Sequence, residues 1–205
     1  MVFLKRVIKI TGIYFSPKAA PVLILACIVV LAGCFAYRSR TAEPADAGSH
    51  TESFILIDPG HGGADGGAVA ADGTTEKDLN LKIALSLADM LKVCGHSVQM
   101  TRDADISVHS PEAGSLREQK ISDMKNRLKL YEQSRLTVSI HQNKFTQSQY
   151  SGTQVFYSGN HPESQTLAEA IRASVVETLQ PENTRELKKA TKDIYLLNKT
   201  TVPAV

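Results

Sequence analysis

A chain of 205 residues, 42% hydrophobic and 21% charged, allows one ordinary domain plus an extension. Its net charge of +2 belongs to the extension: the first 49 residues hold 6 of the 23 Lys+Arg and 2 of the 21 Asp+Glu, leaving 17 against 19. The folded part is therefore near neutral, and nothing points to nucleic-acid binding. Cys27 and Cys34 lie in an apolar stretch and Cys94 stands alone, which excludes a disulfide framework and a Cys-based zinc site.

Residues 1–18 are basic, with Lys5, Arg6, Lys9 and Lys18, and residues 19–37 carry no charge. As a helix those 19 residues span about 28 Å, close to the ~30 Å hydrocarbon thickness of a bilayer. The segment reads as a transmembrane or signal-anchor helix, its basic side cytoplasmic and the following domain outside the membrane. A buried core helix is one alternative. Lipid attachment at Cys34 is another, because Leu31-Ala32-Gly33-Cys34 resembles a lipobox. Residues 38–53, rich in Ala, Glu, Asp, Gly, Ser and Pro from Thr41 on, read as a flexible tether.

Phe54 to Ile57 then gives four apolar residues in a row, a strand buried on both faces. Asp58-Pro59-Gly60 stops it, and His61 follows among Gly62, Gly63, Gly66 and Gly67, which leave room for another backbone or a ligand to come close. Thr75 is placed to cap a helix, with Asp78 three residues on; Leu79, Ile83, Leu87 and Leu91 predict its buried face to about Val93. A strand is expected over Ser97–Thr101, a polar surface loop over Arg102–Leu116, a helix over Arg117–Gln133 and a strand over Leu136–Ile140, with His141 next. Further strands are expected over Thr153–Tyr157, Ile194–Leu197 and Val202–Val205. A helix opens at His161-Pro162, with Leu167, Ile171, Val175 and Leu179 as its stripe. Strands alternating with helices imply an α/β domain over residues 54–205, its largely parallel, twisted sheet covered by helices on both faces.

In such a sheet His61 and His141 share one edge, since each follows a strand's carboxyl end. Two imidazoles and a carboxylate around an open position are a catalytic zinc arrangement, and Glu76 is the natural third ligand because the Gly-rich loop can fold its helix start back. Zinc held this way lowers the pKa of water to about 7 and polarises a carbonyl, so the expected chemistry is amide or ester hydrolysis. The spacing matches no local zinc signature, and the residues alone also admit His61 as a turn residue and Glu76 as a helix-dipole partner. Asp58 and Asp65 read as strand-end and turn residues, with orientation of His61 as the other role. Arg102 and Arg127 read as solvated, with an anionic substrate group as their alternative partner. His50, His96, His109 and His161 read as structural or solvated, His109 with a groove as its alternative neighbour. A nucleotide-binding reading of the Gly-rich loop fails for want of Gly-Lys-Ser/Thr and of a Gly at Asp65.

Taken together, Ile57-Asp-Pro-Gly-His-Gly-Gly63, Glu76-Lys-Asp-Leu-Asn80, Thr101-Arg102 and Ser139-Ile-His141 resemble the zinc-dependent N-acetylmuramoyl-L-alanine amidases (type 3), which cut the amide between muramic acid and L-Ala in peptidoglycan. The resemblance implies that His61, Glu76 and His141 hold Zn2+. The N-terminal segment, Gly152-Thr-Gln-Val-Phe-Tyr157, His161-Pro-Glu-Ser-Gln165 and Ile194-Tyr-Leu-Leu197 look most like the germination-specific branch, which acts in forming muramic-δ-lactam in the spore cortex. It implies a membrane-anchored enzyme on the cell-wall side or in the forespore intermembrane space, with peptidoglycan as substrate and an activating protein as a further partner. In the family, a strand that begins like Val202-Pro-Ala-Val205 runs on to a Glu general base and a final helix. That Glu would lie beyond Val205, so the expectation is a catalytic domain incomplete at its C-terminus. Loss of a general base typically costs about 10²–10⁴-fold in rate. The alternative is a base-less peptidoglycan-binding or regulatory protein.

Overall fold

The apolar run that follows the tether becomes the middle of a sheet. A computed structural model describes residues 53–143 and 151–205. Its elements are β1 (Ile55–Pro59), α1 (Glu76–Val93), β2 (Val98–Met100), α2 (Leu116–Tyr131), β3 (Leu136–Ile140), β4 (Phe156–Tyr157), α3 (Pro162–Thr178), β5 (Lys188–Lys189) and α4 (Tyr195–Lys199). β1 lies between β2 and β3, parallel to both, with Ile55 level with Val98 on one side and Leu136 on the other. All five of its residues are buried, as a parallel strand covered on both faces requires.

Alternate residues of β1 feed two cores. Ile55 and Ile57 pack with Ala84 and Ala88 of α1, while Phe54 and Leu56 pack with Tyr131 of α2 and Leu196 and Leu197 of α4. A third cluster joins Val155 and Val205 to Ala168 of α3. Val202–Val205 runs beside β3 as expected: Thr137 pairs in parallel with Ala204, and Ser139 N–H donates to the Val205 carbonyl at 2.8 Å. Ser158 N–H donates to Ala204 at 2.9 Å, so the terminal segment links β3 to the β4–β5 pair. The α/β architecture and parallel sheet are those expected.

Four local expectations are corrected. Ile194–Leu197 is not a strand: it forms the short helix α4, because a brief apolar run fits a buried helix as well as a strand. Only Phe156 and Tyr157 pair within the strand expected from Thr153. The buried face of α1 is Glu76, Asn80, Ala84 and Ala88 rather than Leu79 and Ile83, the latter 48% exposed. Small residues let that helix sit close on the sheet and turn Glu76 toward the sheet edge. Leu179, expected in the stripe of α3, is exposed. The basic N-terminus, the apolar segment and the tether up to residue 52 lie outside the described residues. Among the described residues no helix is long and apolar enough to cross a membrane.

Candidate metal centre

The site starts where β1 ends. Asp58 and Pro59 finish the strand, and Gly60 leads to His61, the one non-glycine among the described residues with a positive φ, 64°. Such a conformation costs about 1–3 kcal/mol and persists only where its surroundings hold it. Two guanidinium groups do so: Arg102 Nε and Arg127 Nη2 donate to the His61 carbonyl at 2.7 and 2.8 Å. The same arginines reach the carbonyls of Pro59 and Gly60. Beyond His61, the backbones of Gly62 and Asp65 exchange hydrogen bonds of 2.9 and 3.1 Å. This tight turn brings the Asp65 carboxylate to His61 Nδ1 at 3.1 Å.

The loop then folds back, as its glycines led us to expect. Val69 bridges Thr75, Glu76 N–H donates to Ala68 at 2.8 Å and Lys77 N–H donates to Gly66 at 3.2 Å. Thr75 occupies the N-cap of α1, yet its hydroxyl donates to Asp78 Oδ2 at 2.7 Å instead of accepting from a backbone amide. Glu76 therefore points into the sheet edge. Its Oε1 lies 3.2 Å from His61 Nε2 and 3.0 Å from His141 Nδ1. The Ala68 amide holds Oε2 at 2.9 Å, and the Gln142 amide holds Oε1 at 3.0 Å.

Two glycines make the space. A Cβ on Gly60 would lie 2.2 Å from the His141 ring, and one on Gly67 would lie 2.7 Å from both Glu76 Oε2 and His61. The room these glycines leave is filled by the three candidate ligands. His61, Glu76 and His141 each offer one atom, all within 4.8 Å of one another, so the three residues singled out in the sequence do come together. Exposure rises from 6% at Glu76 through 23% at His61 to 49% at His141. The open side faces a groove of about 1230 Å³.

The protonation pattern fits a cation. Burial would raise the Glu76 pKa, but hydrogen bonds from His141 and the Ala68 and Gln142 amides, with the nearby His61, outweigh it and leave the carboxyl well below its usual range. The Asp65 carboxylate lies at His61 Nδ1, so Nε2 is the ring nitrogen turned toward Glu76 Oε1. Ligand atoms about 2.0–2.2 Å from a tetrahedral zinc stand roughly 3.3 Å apart, close to the spacings seen.

A second polar cluster lies directly beneath, built on the strand-end residue Asp58, and it corrects the reading of Arg102 and Arg127 as solvated: both are buried. Asp58 Oδ1 accepts from Thr101 Oγ1 at 2.7 Å and from Arg127; Oδ2 accepts from Tyr131 at 2.5 Å and Ser139 at 3.1 Å. Burial would raise the Asp58 pKa, yet the Arg127 charge and these donors bring it below the usual value. Burial, then the Asp58 charge, pushes the Tyr131 hydroxyl well up. Arg102 and Arg127 are occupied by carbonyls and carboxylates of the protein, so neither is available to a substrate anion. The sequence reading missed Asn80 and Gln142. Asn80 donates to the Gly60 carbonyl at 3.2 Å, and its own oxygen accepts from Gln142 at 3.1 Å.

A parallel α/β sheet thus carries at its carboxyl edge a His-Glu-His set that could hold a metal ion. The chain belongs to the N-acetylmuramoyl-L-alanine amidase family, which its residues 55–205 match. It is 36% identical over 152 residues to the germination-specific N-acetylmuramoyl-L-alanine amidase of Bacillus subtilis, covering 73% of this chain and 63% of that protein. The chain thus spans less than two thirds of that relative. Among solved structures it resembles the CwlD amidase of Clostridioides difficile in complex with the GerS lipoprotein, with 36% identity and a TM-score of 0.69 over 74% of this chain and 79% of that one. Against the amidase AmiC2 of Nostoc punctiforme the identity is 30% and the TM-score 0.61, over 77% and 78% of the two chains.

Proposed function

We propose that this protein is a zinc-dependent N-acetylmuramoyl-L-alanine amidase that hydrolyses the amide between muramic acid and L-Ala in peptidoglycan. The observation that carries the reading is the convergence of His61 Nε2, Glu76 Oε1 and His141 Nδ1 on one point at the groove. Zinc held there would polarise the scissile carbonyl and lower the pKa of a water to about 7. Asp65 fixes the tautomer and tilt of His61, and Gln142 and Ala68 hold the two oxygens of Glu76. Of the carboxylates near the centre, Asp65 is bonded to His61 and Lys120, Asp123 to Arg127 and Ser107, and Asp58 is sealed in.

The similarity to a germination-specific amidase supports a role in the spore cortex. The lipoprotein bound to the Clostridioides difficile relative supports a protein partner here too. We further propose that the apolar residues 19–37 anchor the domain outside the membrane. The test is to incubate zinc-loaded protein with purified peptidoglycan and analyse the products by mass spectrometry. The reading expects free peptides that begin with L-Ala, lost on chelation and restored by zinc. Tight binding of peptidoglycan at one zinc per chain, with no peptide released, would instead support the binding-protein alternative.

A further inference from the structure

One wall of the groove is built from the loop before α2 and the first turns of that helix: Ser107, His109, Gln119 and Lys120. Two Lys or Arg residues line the groove among the described residues. Arg127 is buried and fully engaged by Asp58, Asp123 and backbone carbonyls. Lys120 is 62% exposed, and its ammonium meets Asp65 Oδ1 at 3.1 Å. An ammonium has three N–H donors, so this pair leaves two for the groove. Asp65 does not need the lysine for its own placement, because the Gly62–Asp65 backbone pair and His61 already fix it.

Reach decides what Lys120 meets. Two contacts of 3.1 Å put its ammonium within about 11 Å of the His61 nitrogen that faces Glu76, roughly three residues of extended chain at about 3.3–3.6 Å each. With the scissile carbonyl at the metal centre, the side groups of the residue after L-Ala fall within that distance. In a stem peptide that residue is a D-glutamate with a free carboxylate, or its amidated form.

We propose that Lys120 is a specificity residue that receives this carboxylate, so that the site prefers acidic over amidated stem peptides. The inference rests on the amidase reading above. It is tested with the zinc-loaded full chain by calorimetric titration with N-acetylmuramoyl-L-Ala-D-glutamate and with its D-isoglutamine counterpart. The acid should bind about fivefold more tightly, the scale of a partly exposed charge pair. Lys120→Met should bring the acid down to the affinity of the amide, leaving amide binding and zinc stoichiometry unchanged. Equal affinity for the two ligands in the wild type, or a preference that survives Lys120→Met, would overturn the proposal while leaving the amidase reading in place. If neither ligand binds, the muramoyl-peptide reading falls and the specificity role falls with it.

Discussion

Asp58 and His61 are three residues apart, yet they belong to opposite kinds of polar cluster. Around Asp58 every group is satisfied: Thr101, Arg127, Tyr131 and Ser139 all converge on one fully buried carboxylate. Around His61 two imidazole nitrogens converge on one oxygen of Glu76, and the exposure grows toward the groove. A closed network rigidifies its surroundings, and this one fastens the carbonyls of Pro59, Gly60 and His61. An open set of ligand atoms is a place for a cation. The difference shows how one loop supplies both the support and the site, because its carbonyls face inward to the arginines while the His61 side chain faces the groove.

The largest effect should come from breaking the closed cluster. Arg127→Met leaves Asp58 buried and uncompensated, which typically costs about 3–5 kcal/mol. The expected result is a correspondingly lower urea midpoint for the zinc-free protein. The double variant Asp58→Leu with Arg127→Met should recover much of the loss, since neither charge is then stranded. A single variant within 0.5 kcal/mol of wild type, about the spread of neutral surface changes, would mean that the cluster does not support the loop.

The same cluster predicts a pH dependence. Asp58 has a folded-state pKa below its ordinary value near 3.8. Its stabilisation is therefore fully present above that value and disappears as the pH falls through the lower, folded one. Acid unfolding of zinc-free wild type should be steep there, and the double variant should show a shallower slope. Identical acid limbs for the two proteins would remove Asp58 as the cause.

A smaller effect should appear when the space around the ligands is filled. Gly60→Ala sets a methyl group against the His141 ring, and Gly67→Ala sets one between Glu76 and His61 at positive φ. Overpacking costs about 1–3 kcal/mol, so zinc affinity measured by chelator competition should fall up to about 100-fold. Gly66→Ala is the control, because nothing lies within 4 Å of its added carbon. Equal affinity in all three variants would show that the glycines do not shape the centre.

The open cluster was the more legible of the two in the amino-acid sequence. His61 and His141 each follow an apolar run, so parallel pairing of those runs puts both at one edge, and the Gly-rich loop lets Glu76 return to it. The closed cluster was hidden. Arg127 lies 69 residues from Asp58 along the chain, and a charged residue inside an amphipathic pattern reads as solvated until the helix register is known. That register also escaped: Leu79 and Ile83 outnumber the small residues in hydrophobic appeal, but Ala84 and Ala88 face the sheet because Glu76 and Asn80 must point at the centre. Ile194–Leu197 failed for a different reason, since a four-residue apolar run is too short to reveal its period. Ser115 and Glu118 form a capping box at the start of α2, a local signal present in the sequence that the loop reading of Arg102–Leu116 passed over.

The smallest of these effects should come from the residue that joins the open cluster to the groove wall. Asp65 is one-third exposed and bonded to both His61 Nδ1 and Lys120, so its loss strands no buried charge and should barely change the urea midpoint. Partners of metal-ligating histidines typically contribute about 10–100-fold in metal affinity. Asp65→Asn keeps an acceptor oxygen within reach of His61 Nδ1 and removes only the charge, so the low end applies, about tenfold weaker zinc binding. Asp65→Ala removes the acceptor as well and should fall toward the high end. If both variants bind zinc like wild type, His61 does not depend on that hydrogen bond for its orientation, and the arginines on its carbonyl alone set the geometry of the ligand.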